Sequence, residues 1–233
     1  VTSDPIEFVL NYARLEDREI AGLIASSLAF GNVVQIRRSV RGVLDRMGAS
    51  PRDFLMNTSK RRLLAAFSGF RHRYVGETEL CALLMSAKSL AERHGTLHVS
   101  FARHIGPHDV HVAPALTRWV AELLRAGKCE KNYLLPNPAG GSACKRLHLY
   151  LRWMVRKDEI DPGGWRQVSP AQLIMPMDTH SHRFCVEQGL IARRHADGRA
   201  ALEATEAFRA ICPEDPVRYD FAITRIGICG EAW

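Results

Sequence analysis

From Ile20 to Ile226 the apolar residues of this chain recur at steps of three and four, and no run alternates convincingly enough to make a half-buried strand. That period commits the chain to helices that pack striped faces together. Ile20, Leu23, Ile24, Ser27 and Leu28 give an early helix its inner face, and Phe30-Gly31-Asn32 breaks it. Val33, Ile36, Val40, Val43, Leu44 and Met47 stripe the next helix, with Arg37, Arg38 and Arg41 off the stripe. Leu80, Leu83, Leu84, Ala87 and Leu90 form a third pattern that Gly95 stops. Pro114 opens a fourth on Leu116, Trp119, Val120, Leu123 and Leu124, closed by Gly127.

The second half is punctuated more heavily. Leu134 to Gly141 is a loop rich in proline and glycine, after which Ser142 is expected to cap a helix burying Leu147, Leu151, Met154 and Val155. Asp158 to Gly164 reads as a polar turn, and Ser169-Pro170 as the start of a short helix that Pro176 must end. Asp178 caps the next helix, which stops at Gly189. Ala200 to Arg209 is amphipathic, and Asp215-Pro216 opens the last helix with Tyr219, Ala222, Ile223 and Ile226 inward. No internal repeat or low-complexity tract interrupts this order. The expected class is all-α.

At 233 residues the chain can form one large domain or two small lobes, and 46% apolar with 24% charged residues is ordinary globular composition. It contains no apolar run of about 18 residues or more, so no membrane span is expected, and no signal peptide is visible. The chain opens at Val1 rather than at a methionine, consistent with a disordered start lying ahead of it. A net charge of +7 and a pI near 9.3 favour a polyanionic partner, with nucleic acid first. Arginine carries most of the excess and suits phosphate contacts.

Six cysteines, at 81, 129, 144, 185, 212 and 229, form no C-x-x-C pair and read as reduced thiols of a cytosolic protein. Cys212 and Cys229 alone cannot hold an iron–sulfur cluster, and no cofactor is expected. His104, His108 and His111 have helical spacing, but Gly106-Pro107 interrupts any helix carrying them. His180 and His182 fall on different faces, so no metal site is expected.

Two residues suggest chemistry. Asp178 taken alone is an N-cap, and Lys145 taken alone is a solvated lysine after a Gly-Gly-Ser loop. Taken together they are an amine and a carboxylate at two successive helix starts. An amine attacks carbon only when neutral, and both the positive end of a helix and burial favour that form. A nearby carboxylate can stabilise positive charge on a sugar ring as its base departs. Gly140 and Gly141 let backbone amides approach a phosphate beside the lysine.

The segment Met177-Asp178-Thr179-His180-Ser181-His182-Arg183, ending in Gln188-Gly189-Leu190, resembles the Val/Leu-Asp-Thr-His-x-x-Arg signature of the helix-hairpin-helix (HhH-GPD) DNA glycosylase superfamily. In that superfamily a hairpin lysine precedes the signature. Here the usual Leu-Pro-Gly-Val-Gly-x-Lys hairpin is replaced by Asn137-Pro138-Ala139-Gly140-Gly141-Ser142-Ala143-Cys144-Lys145. The lysine stands later and the interval to the aspartate is longer, which is similar to the archaeal 8-oxoguanine glycosylase branch. Most of the chain also resembles an uncharacterised bacterial family within the superfamily. That family is marked by Gly-Ser-Ala-Cys-Lys-Arg at 141–146, Leu-Arg-Trp-Met-Val-Arg at 151–156 and Tyr-Asp-Phe-Ala-x-Thr-Arg at 219–225.

The resemblance implies a two-lobed all-α fold, with the hairpin in a lobe over 100–190 and the other lobe formed by 1–99 with 191–233. It implies double-stranded DNA carrying a damaged base as the partner, with the target base flipped into the cleft between the lobes. Lys145 becomes the amine nucleophile and Asp178 its carboxylate. Asp220, a capping or solvated residue on the bland reading, is a candidate second acidic contact to the base. Phe30, Asn32, Trp153, Met177 and Phe221 are candidates for the base pocket. Gly140, Gly141, Ser142, Arg146, Arg37 and Arg38 are candidates for the DNA backbone, as are Arg71 and Arg73. The expected activity is that of a DNA glycosylase with β-lyase function, on an oxidised purine such as 8-oxoguanine. It is expected to work as a cytoplasmic, nucleoid-associated monomer. The alternatives are a DNA-binding module of the same fold that does not cut, and a basic helical scaffold for RNA or an acidic protein.

Overall fold

The computed structural model describes residues 4–229, with side chains through residue 226; Val1 and the thiol of Cys229 lie outside the described residues. Twelve α-helices hold nearly all the regular structure among them. They are α1 (Glu7–Leu10), α2 (Leu15–Ser27), α3 (Val33–Met47), α4 (Pro51–Asn57), α5 (Lys60–Ala66), α6 (Glu77–His94), α7 (Leu97–Ala102), α8 (Ala113–Ala126), α9 (Lys145–Val155), α10 (Thr179–Glu187), α11 (Gly198–Ile211) and α12 (Asp220–Cys229). The all-α class is as the periodicity dictates. No helix among the described residues is long and apolar enough to cross a membrane.

One buried apolar cluster runs from Ile6 to Ile223 and takes in Trp119, Tyr150, Trp153 and Trp165. Within it α2 lies on α9, α6 on α8, and α10 on α12. The first of these packings has a local cause. A Cβ at Gly22 would lie 3.1 Å from Met154 Cε and 3.3 Å from Tyr150 Cε2, so the bare glycine lets the two helices approach. Their contact brings the turn after α2 beside the start of α9, where Arg146 Nη1 donates to Ser27 O at 2.7 Å. Buried Glu19 of α2 ties in further segments, accepting from Leu97 N, His98 N and Trp165 Nε1. Burial pushes its carboxyl up to about 7, against the pull of those three donors.

Several expectations need correction. Arg71–His72 (β1) and Val75–Gly76 (β2) form an antiparallel hairpin, too short for alternation to show in the sequence. Four short helices also escape a reading based on apolar stripes, and α1, the first of them, has no side-chain cap to announce it. α4, α5 and α7 are each announced instead by a capping hydroxyl, Ser50, Ser59 or Thr96, that accepts from the backbone N–H three residues on. Val33, expected in the α3 stripe, is 40% exposed because it sits in the first turn, ahead of the packed part of the helix.

Ser142 does not cap α9. Cys144 is the N-cap, in the left-handed region at φ 45°, and Ser142 Oγ accepts from its N–H at 3.2 Å. Ser169-Pro170 opens only a single 3-10 turn, Pro170–Gln172, because the chain from Leu173 to Met177 is drawn out and buried, Met175 N donating to Thr205 Oγ1. The last helix starts at Asp220 rather than after Pro216, since Asp215 is turned to Arg156. Tyr219 is therefore 39% exposed and Ala222 exposed, while Ile223 alone of the four named residues is buried.

Candidate active site

The lysine and the aspartate meet. Lys145 Nζ donates to Asp178 Oδ2 at 2.6 Å. Two backbone devices bring this about. The left-handed turn at Cys144, its side chain buried under the loop, makes Lys145 the first residue of α9. Across from it, Asp178 caps α10, and Oδ1 accepts from His180 N and Ser181 N, both at 2.9 Å. The cap and the charge partner are thus one side chain, with one oxygen for each task. Burial pushes the Asp178 carboxyl up, but the Lys145 ammonium and the bonds from Ser181 outweigh it, holding the group below the ordinary aspartate value.

The pair opens on a cavity of about 510 Å³. Phe30, Ile36, Leu149 and Phe221 give it apolar walls, and Arg152 and Asp220 line it with the pair. Asp220 is 3% exposed: its Oδ2 is held by Arg152 Nη1, and its Oδ1, also buried, has no hydrogen-bond partner. Burial raises the Asp220 carboxyl above the ordinary value despite the Arg152 guanidinium beside it. Arg152 is shared with Asp161, whose Oδ1 it reaches from Nη2 at 3.1 Å. One cavity therefore contains two carboxyl groups whose environments pull them apart, one towards the charged form and one towards the neutral form.

Of the other expected pocket residues, Phe30, Asp220 and Phe221 line the cavity, while Asn32, Trp153 and Met177 do not. Asn32 is spent as the cap of α3, accepting from Val34 N at 2.9 Å. Trp153 is fully buried in the core and Met177 is 2% exposed in the drawn-out run before Asp178. Leu149, Arg152 and His180 are lining residues that the sequence reading passed over. A signal for the first two was present, since Lys145, Leu149 and Arg152 stand at i, i+4 and i+7 and so share a helix face.

Gly140, Gly141 and Ser142 lie exposed in the loop ahead of α9 and do not line the cavity, with Gly141 at φ 78° and its carbonyl accepting from Gly198 N at 2.9 Å. Arg146 and Arg37, expected on the DNA backbone, are committed elsewhere. Arg146 donates to Ser27 O and Tyr133 O and lies over the Phe30 and Tyr133 rings, and Arg37 makes a two-pronged pair with Glu7. Arg38, Arg71 and Arg73 are exposed. His104 meets Glu122 at 2.9 Å, His182 donates to Arg193 O, and no group of metal-capable side chains gathers among the described residues.

No curated protein and no solved structure matches the chain. Over residues 4–229 it matches, and therefore belongs to, the family described as a protein of unknown function, DUF2400.

Proposed function

We propose that this chain is a base-excision enzyme of the helix-hairpin-helix glycosylase type, with its hairpin lobe over 100–190 and its second lobe formed by 1–99 and 191–233. Its partner is duplex DNA bearing a damaged base, with an oxidised purine as the substrate class, and it works as a monomer. The observation that carries this reading is the 2.6 Å pairing of Lys145 with Asp178 at a cavity that also holds aromatic walls and a buried carboxyl. A surface ion pair between two helices has no need of such a cavity, and a base turned out of a duplex needs apolar faces with a few polar groups at its edge.

The chemistry follows from the atoms present. Once Lys145 has given up a proton, its nitrogen bonds to C1′ of the deoxyribose. The bond from C1′ to the base breaks, and the base leaves with the electron pair and gains a proton. Asp178 stabilises the positive charge that develops on the sugar. Opening of the ring at O4′ gives the imine, and loss of a C2′ proton then expels the 3′ phosphate. Asp220 Oδ1, buried in the cavity wall and unpartnered, offers the contact to the edge of the base.

Borohydride reduces an imine to a stable link, so wild-type protein should be trapped covalently on an oligonucleotide carrying 8-oxoguanine or an abasic site. Lys145→Gln should abolish the adduct while keeping DNA binding. An adduct that persists in Lys145→Gln would remove this lysine from the chemistry. Absence of any adduct across a panel of damaged duplexes, with binding retained, would favour the non-cutting module instead.

A further inference from the structure

A second pocket, sharing no residue with the Lys145–Asp178 cavity, lies between α5, α6 and the end of α8. It holds about 320 Å³, within the size range of small-molecule sites. Leu64, Ala82, Met85 and Ala126 give it walls of carbon and sulfur, and a methionine there adapts to bodies of different shape. The thiols of Cys81 and Cys129 complete the lining, each already donating inside the protein, to Leu63 O and Leu124 O. Burial pushes the Cys81 thiol up to about 11 and raises that of Cys129, so both act as neutral walls rather than as nucleophiles.

The mouth carries charge of one sign. Lys60 and Lys128 are exposed at the rim, and no carboxylate is among the lining residues. Lys60 opens α5 ahead of Arg61 and Arg62, with no acidic residue in that first turn. Glu77 and Glu79, at the start of α6, are turned to the backbone N–H groups of Gly69 and Gly76. Like charges crowded in this way repel until a counter-charge joins them.

Lys128 also stands against its own backbone preference. It follows α8 in the left-handed region at φ 54°, where a helix end favours glycine. The glycine of this turn comes one residue earlier because α6 passes close by. A Cβ at Gly127 would press into Ser86 Oγ and lie 3.1 Å from Ala82 O. A cation at a helix C-terminus is favourable, but Arg125 in the last turn of α8 already supplies one. A lysine held where glycine is preferred, at the rim of an apolar pocket, points to a use for its ammonium.

We infer that this pocket binds a small amphipathic anion, its carbon body against Leu64, Ala82, Met85 and Ala126 and its single anionic head between Lys60 and Lys128. The walls offer little to a polar ligand, and a sugar–phosphate backbone has no apolar body to fill them. The site is independent of the chemistry at Lys145.

Titration calorimetry on the whole chain tests this with sodium octanoate and octyl phosphate as probes. Each should bind at one site, and their relative affinity tells which head the lysines prefer. Acetate has a head without a body and should bind too weakly to detect, since each buried methylene contributes to affinity. Octylammonium has the body with the opposite charge and should bind at least about 10-fold more weakly than octanoate. Lys60→Gln/Lys128→Gln should weaken octanoate by about 10-fold and leave octylammonium unchanged. Lys128→Gly supplies the residue the backbone favours, so it should unfold at a higher temperature than wild type while binding octanoate several-fold more weakly. Ala126→Phe fills the pocket and should abolish binding. Should that variant fail to fold, Leu64→Glu, at a partly exposed position of the wall, sets a negative charge there and should do the same. No binding of either probe at millimolar concentration overturns the inference, as does equal affinity for octanoate and octylammonium. Octanoate binding that survives both Ala126→Phe and Leu64→Glu places the ligand elsewhere and overturns it too.

Discussion

Lys145 and Arg152 stand two turns apart on one face of α9, and each holds its positive charge against an aspartate. Their surroundings are otherwise opposite. Lys145 is 32% exposed along its side chain and has a single carboxylate oxygen as its partner. Arg152 is buried, and its guanidinium reaches Asp161 and Asp220. One turn further on, Arg156 reaches Asp158, Asp161 and Asp215. The far end of the helix is a network in which almost every donor is spent, and it ties α9 to the 158–161 turn and to the start of α12. The near end leaves donors free beside a cavity. A charge network whose donors are nearly all spent holds a structure in place, and a pair with donors left over beside a cavity has capacity for a ligand. Substitution should separate these two roles.

The largest effect on stability is expected at the far end. Arg152→Met removes the shared cation and strands Asp220, and in part Asp161, without compensation in the interior. Breaking a buried pair in this way costs about 3–5 kcal/mol. Lys145→Gln, two turns away, should cost about 1 kcal/mol or less, because the pair it breaks is partly solvated. Urea unfolding of the two variants reads the difference directly. Equal losses would mean that Lys145–Asp178 is as structural as the network, and the catalytic reading would lose its contrast.

Next in size is the rate effect of Asp178→Asn. Asparagine caps a helix about as well as aspartate, so α10 should form normally. What disappears is the negative charge facing Lys145 and the sugar. A loss of about 100-fold or more in base release is expected, within the usual range for a positioned carboxylate. It should be measured by single-turnover cleavage of a damaged duplex, with unfolding that loses no more than the pair itself contributes, about 1 kcal/mol, as the control. A wild-type rate in this variant would leave Asp178 as a cap and nothing more.

How far the sequence disclosed these two regions follows from how local each one is. Asp178 as a cap and Lys145 near a helix start are properties of adjacent residues, and the resemblance of both segments to the glycosylase signature sets them opposite each other, so the pair is legible in the sequence. Phe30 was also legible, since the Phe30-Gly31-Asn32 break has to fall at the end of a helix. The network at Arg152 joins residues from three separate stretches, and spacing along one helix cannot reveal that Asp161 and Asp220 converge on it. Arg37 and Arg146 misled for the opposite reason. An arginine off the apolar stripe looks free for phosphate, but Glu7 and the Ser27 and Tyr133 carbonyls, remote in sequence, take up their donors. Trp153 and Met177 read as pocket residues by proximity in sequence, although α9 turns the first into the core and the drawn-out run before α10 buries the second.

The smallest expected effect concerns acid stability, where the two cavity aspartates should act with opposite sign. Asp178 has its folded-state value lowered, so below the ordinary aspartate value the unfolded chain binds the proton more readily. Its contribution to stability is present above that value and is lost as pH falls through the lower, folded-state value. Asp220 is raised by burial, so the folded protein binds the proton more readily in a window above the ordinary value. Its contribution is fully present at low pH and declines as pH rises through that window. A single proton sets a ceiling of about 1.4 kcal/mol per pH unit on either slope. Unfolding free energies measured from about pH 3 to about pH 6, the span in which aspartates titrate, should show this. Asp178→Asn should flatten the loss at the acid end, and Asp220→Asn should remove a decline on the neutral side. If both substitutions changed the curve in the same direction, the two carboxyls would share one environment. The division between a charged group at the mouth of the pair and a neutral-leaning one in the wall would then fail, even with the two ends of α9 still differing in stability.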